Sequence, residues 1–147
     1  MTLASQPGHA GQPTARSKAR KRALDLLFAA EQRGVGPVEL LDQAIADGEG
    51  PGNAYTSTLV RGVVAEQARI DELLTTYSTD WSLTRMPAVD RNVLRLGVWE
   101  LLHSEDVPEH VAISEAMQLV RDLSTDESPV FVNGVLGAIQ RDKATLS

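Results

Sequence analysis

Between Trp81 and Ile139, apolar residues recur at three- and four-residue spacing in three runs separated by proline-marked turns. That pattern predicts three amphipathic helices, and no other part of the chain has enough periodicity to build a core unaided. In the first run Val89, Val93, Leu94, Gly97, Val98, Leu101 and Leu102 form one stripe, with Arg91 and Arg95 on the opposite side. Glycine inside a helix costs about 1 kcal/mol of propensity, so Gly97 is read as a point where a neighbouring helix approaches closely. Pro108 ends this helix through the turn 104–108. The second helix, about Val111 to Leu123, buries Ile113, Ala116, Met117, Val120 and Leu123. Ser128 as N-cap and Pro129 at the first helical position open the third, whose stripe is Phe131, Val132, Val135, Leu136 and Ile139.

The rest of the chain extends the same architecture. Residues 1–15 are rich in Gly, Pro, Ala, Gln and Ser, too poor in apolar surface to offset ordering entropy, and are expected to be disordered. A helix runs from Arg16 to Gln32 or Arg33 and stops at Gly34. Arg20 shares its side with Ala23, Leu24, Leu27 and Ala30, so the face that is apolar later is basic at first; its first turns are expected to project beyond the core. Pro37 opens a short helix to about Ala46, with Leu40, Leu41 and Ile45 inward. After the loop 48–52, Asn53 is a plausible cap for a helical region to Ser78, with a break between Val64 and Arg69 where the apolar pattern lapses. The next helix is capped by Ser82 or restarted at Pro87. No β-branched run alternates over strand length and no repeat is evident, so the fold class is all-α: six or seven helices of about 10–16 residues in two antiparallel bundles sharing a core. The bundles would divide near residues 78–85 (about 16–78 and 82–141) within one domain, 142–147 being a C-terminal tail. A chain of 147 residues needs no staples for such a core.

Charge is divided sharply. Residues 1–22 carry five basic side chains and no acid; the remainder carries nine basic and twenty acidic residues, so a +5 end joins a −11 body. Such asymmetry argues for a defined docking end rather than general polyanion binding. Absence of cysteine, of a signal-like apolar run and of about 18 consecutive apolar residues fits a cytoplasmic protein.

Several groups of residues admit both a functional and a purely structural reading. The cluster Arg16, Lys18, Arg20, Lys21 and Arg22 opposes the helix macrodipole, so stability alone would not choose it. It reads either as a solvated basic tail or as a nucleic-acid contact. Phe28, seven residues after Lys21 and on nearly the same side, either packs in the core or stacks on an unpaired base. Asp126, Glu127 and Ser128 are explained by helix capping, and Asp90, Arg91, Arg95 and Glu100 by a solvated face. His103 and His110 match no regular zinc spacing, and no nucleophile elbow, phosphate loop or acid–base pair occurs. The chain reads as a non-enzyme with no cofactor.

The strings VDRNVLRLGVWELL and DVPEHVAISEAMQLVRDLSTDESPVFVNGVL, with a basic start running into ALDLLF, resemble the bacterial NusB family of transcription antitermination factors over about residues 16–141. The resemblance implies two three-helix bundles, one from each half. It implies that the basic motif contacts the boxA element of nascent ribosomal RNA, and that Phe28, Glu127 and Phe131 lie by the RNA. The family often has tyrosine where this chain has Phe28, which keeps a stacking face but no hydroxyl. The resemblance also places Asp90, Arg91, Arg95 and Glu100 near a small-subunit ribosomal protein, NusE, and implies an elongating RNA polymerase with other Nus factors as the wider assembly. A homodimer that hides the basic helix is a further possibility. Two rivals are a helical adaptor that binds only protein, and the NusB-like module that precedes an RNA cytosine methyltransferase domain; the chain ends at Ser147 without a Rossmann-like continuation, which disfavours the second.

Overall fold

The computed structural model of the protein describes residues 14–48 and 54–146. The expectations for residues 1–13, for most of the 48–52 loop, for Asn53 as a cap and for Ser147 lie outside the described residues. Seven α-helices and one 3₁₀ turn make up the regular structure, with no strand among the described residues. No described helix is long and apolar enough to cross a membrane.

Helix α1 (Ala15–Arg33) starts where the Thr14 hydroxyl accepts a hydrogen bond from the Ser17 amide, and ends at Gly34, whose φ of 69° lets its N–H return to Ala30 and Glu31. Pro37 opens α2 (Pro37–Ala46), and the Glu39 carboxylate caps the Gly36 amide at 3.2 Å. Leu41 is fully buried, but Ile45 is 47% exposed, so the expected inward face of α2 is narrower than its sequence implies. The lapse in apolar pattern is a real break: α3 (Ala54–Ala65) and α4 (Gln67–Tyr77) meet at Glu66. Both candidate starts after Ser78 are used, Ser82 preceding the 3₁₀ turn Leu83–Arg85 and Pro87 preceding α5 (Ala88–His103).

Helices α1, α2 and α3 pack on one another, and α5, α6 (Glu109–Leu123) and α7 (Ser128–Leu146) form the second bundle. Helix α4 lies more against α5 and α7 than against α3, although it precedes residues 78–85 in the chain. Helix α7 does not end in a tail at residue 142. Its last turns are held by Tyr77 donating to Asp142 at 2.5 Å, Lys143 to Glu109 at 2.7 Å and Arg69 to the Leu146 carbonyl at 3.3 Å.

Helix α5 is the axis of the molecule. It touches α1, α3, α4, α6 and α7, and Val93, Leu94, Val98 and Leu101 are buried along it. Gly97 is the predicted close approach, since a Cβ there would lie 2.9 Å from Leu136 of α7. On the other side Trp99 covers Gly62 of α3.

Candidate nucleic-acid interface

The apolar face of α1 does not stop where the basic residues begin. Ala19 and Ala23 are small enough to bring α1 against its neighbours, and both are buried. Arg20, between them on the same face, is drawn in as well and is only 4% exposed. A lone buried guanidinium would be prohibitive, and the fold supplies its counterion from α5. Arg20 Nε lies 2.9 and 3.0 Å from the two oxygens of Glu100, itself 2% exposed, and Nη1 lies 3.2 Å from Glu115 of α6. The Tyr55 hydroxyl of α3 donates to the same Glu100 at 2.5 Å. Burial works against the charged form of Arg20, but hydrogen bonding and attraction from Glu100, then attraction from Glu115, outweigh it and raise its pKa. Burial and the Glu100 hydrogen bond push the Tyr55 phenol up to about 12.

The expectation that the first turns of α1 project beyond the core is therefore corrected. Arg20 is a structural cation joining four helices, and its neighbours divide into different situations. Arg16 lies over the Tyr55 ring, 4.1 Å from its centroid, and pairs with Asp106 at 2.9 Å. That contact holds the Asp106 carboxyl below its usual range. The Ser17 hydroxyl donates to Glu115 at 2.6 Å. Lys21 pairs with Asp25 one turn on, at 2.9 Å, with both side chains about half exposed. Lys18 is exposed and forms no ion pair with any described residue. Arg22 is half-buried. Phe28 is 37% exposed, so the helix presents an aromatic edge and cations outward while Leu24, Leu27 and Ala30 face the core.

In the turn between α6 and α7, Asp126 and Glu127 are exposed and Ser128 is fully buried. Ser128 is the first helical residue rather than the cap, and its Oγ accepts from the Thr125 amide at 3.3 Å. Phe131 is half-buried, its ring set edge-on to Trp81 with centroids 4.8 Å apart. One side of it is thus already occupied.

The solvated face expected for Asp90, Arg91, Arg95 and Glu100 does not exist, because five helices surround α5. Asp90 is fully buried and Glu100 nearly so. Arg91 is clamped by Glu31 of α1 and donates to the carbonyls of Leu83 and Met86 at 3.0 and 3.1 Å. Arg95 makes a two-pronged pair with Asp71 of α4 at 2.8 and 3.0 Å. These pairs border a groove of about 430 Å³ lined by Leu27, Glu31, Val35, Leu83, Arg91 and Arg95, among others. Sequence reading missed Glu31, Tyr55, Asp71, Asp106 and Glu115 as partners of the arginines. Nothing local signals them, since each pairing spans from 24 to 95 residues. Among the described residues no group of three or more His, Cys, Asp or Glu side chains is arranged to hold a metal.

The sequence model of the NusB family matches residues 17–141. The transcription antitermination protein NusB of Nocardioides sp. is 71% identical over 134 residues, covering 91% of this chain and 99% of that protein. The protein of the same name from Kineococcus radiotolerans is 57% identical over 133 residues, covering 90% and 98%. Among solved structures, T. maritima NusB superposes with a TM-score of 0.79 at 34% identity, covering 90% of this chain and 95% of that one. A chain from a crystal structure of the antitermination factors NusB and NusE in complex with double-stranded RNA superposes with a TM-score of 0.75 at 29% identity, covering 86% and 96%. In sequence and in the disposition of its seven helices, this chain belongs to the NusB family.

Proposed function

We propose that this protein is a cytoplasmic transcription antitermination factor. It binds the boxA element of nascent ribosomal RNA together with the small-subunit ribosomal protein NusE, and helps RNA polymerase and its Nus factors read through terminators. The observation that carries the RNA half is the basic start of α1, where Lys18, Lys21 and the ring of Phe28 face outward and Arg16, paired with Asp106, stays partly exposed, on a body whose remaining charge is strongly negative. Cations beside an aromatic edge suit a strand whose phosphates are neutralised while a base stacks. Glu127 adds a carboxylate that accepts from base amino groups, with Phe131 beside it. Arg22 joins this set, whereas Arg20 holds the helix in place and does not touch RNA.

The protein half rests on the groove between the C-terminal part of α1, the 3₁₀ turn and the start of α5. Its apolar lining, Leu27, Val35 and Leu83, is rimmed by the paired charges of Glu31, Arg91 and Arg95. An acidic body attracts a basic ribosomal protein, and by linkage RNA and partner strengthen each other's binding. Retention of boxA RNA against a scrambled sequence, with the ribosomal protein present, tests the proposal. Preference for boxA that weakens in Lys18→Glu without a lower melting temperature supports it. Equal retention of both RNAs would leave a protein-binding adaptor instead.

A further inference from the structure

Asp90 is fully buried at the start of α5, and no described group hydrogen-bonds its Oδ2 atom. Its first-turn position gives the negative charge some relief from the helix dipole, but a buried carboxylate oxygen without a partner still costs stability that an apolar residue would not. Its other oxygen explains why the carboxylate is there. Oδ1 accepts from the Ser124 hydroxyl at 2.5 Å. Ser128 donates in turn to the Ser124 oxygen at 3.0 Å, and the Thr125 amide donates to Ser128 at 3.3 Å. The bonds run one way, from backbone amide through two hydroxyls to the carboxylate, and they cross-brace the turn whose apex is Asp126 and Glu127. Ordinary capping accounts for the Thr125–Ser128 exchange, but not for the tie from Ser124 to another helix 34 residues earlier in the chain.

We infer that Asp90 is a positioning residue for RNA recognition: it anchors the turn between α6 and α7 so that Glu127 is presented to the RNA in a fixed place. This rests on the RNA-binding reading above. Asp90 itself touches neither RNA nor the ribosomal protein. Its isostere asparagine keeps an acceptor at Oδ1 and is expected to keep the anchor, whereas alanine removes it.

The test compares Asp90→Ala, Asp90→Asn and Ser124→Ala in the full chain. Ser124→Ala cuts the same tie from the turn side should Asp90→Ala fail to fold. Amide hydrogen exchange at residues 125–131 is expected to quicken in both alanine variants and to stay near wild type in Asp90→Asn. Affinity for boxA RNA is expected to fall about tenfold in the alanine variants, while affinity for the ribosomal protein alone changes little. In a Glu127→Gln background the further loss from Asp90→Ala should largely vanish, because both changes disable one element. Unchanged exchange, a full loss in the Glu127→Gln background, or a loss in Asp90→Asn equal to that in Asp90→Ala would overturn the anchor. A wild-type chain that does not prefer boxA overturns the RNA reading instead, and with it the functional half of the inference.

Discussion

Two glycines face large side chains of neighbouring helices at close range. A Cβ on Gly97 would sit 2.9 Å from a Leu136 methyl, and one on Gly62 would sit 2.3 Å from the Trp99 indole. Leucine has rotamers into which to retreat; an indole wedged between helices moves only as a whole. Gly97→Ala is therefore expected to cost about 1–3 kcal/mol from overpacking, less about 1 kcal/mol of recovered helix propensity, and Gly62→Ala to cost more, both read from urea unfolding. Tyr55 gives a second residue-level expectation. Its pKa lies near 12 in the folded protein against an ordinary value near 10, so the unfolded chain releases that proton first as pH rises. Stability from this group is complete below about pH 10 and is lost between pH 10 and 12. The melting temperature should fall across that window, and Tyr55→Phe should flatten the slope; an unaltered slope would mean that other groups control it.

Helices here are tied by charges as much as by apolar stripes. The Arg20–Glu100 pair joins α1 to α5 where both side chains are almost wholly buried, so removing one partner strands the other. Arg20→Ala is expected to destabilise by about 3–5 kcal/mol, and a paired apolar replacement such as Arg20→Met with Glu100→Leu to recover much of it, measured as a double-mutant cycle. The Gly34 stop of α1, the break at Glu66 and the stripes of α5 and α7 were legible in the sequence because each depends on residues within about a turn of one another, whereas Leu123, expected in the buried stripe of α6, is 40% exposed. The inward fate of Arg20, Asp90 and Glu100 was not. A charged residue on a helix face looks solvent-bound until one knows that another helix brings its partner, and α5 has neighbours on every side. The last turns of α7 were hidden for the same reason: Asp142 and Lys143 read as a polar tail, yet they are ordered by Tyr77 and Glu109 from elsewhere in the chain. Of the RNA-contact candidates, the structure leaves Lys18, Lys21, Phe28 and Glu127 open to solvent and withdraws Arg20 from that set.

At the scale of the whole molecule, one end carries cations and the body repels polyanions, so RNA binding should be local and strongly salt-dependent. With Arg20 committed inward, four cations remain, and the log–log slope of affinity against salt on a single strand should reach roughly −2.8 at most, at about −0.7 per phosphate. Titrating RNA affinity from low to moderate salt checks this, and a slope near zero would show that the basic end is not touching phosphates. Helix α5 makes the two bundles one unit, so neither is expected to fold when separated from the other.

Only two tryptophans occur in the chain, and they stand at different joints: Trp99 covers Gly62 between α3 and α5, whereas Trp81 meets Phe131 near the turn proposed to read RNA. The protein thus carries two indole fluorophores with separate views, one sensitive to the halves coming apart and the other to a base arriving beside Phe131. Replacing either with phenylalanine leaves a single indole emitter, which turns an unlabelled sample excited at the red edge into its own gauge of occupancy or of integrity.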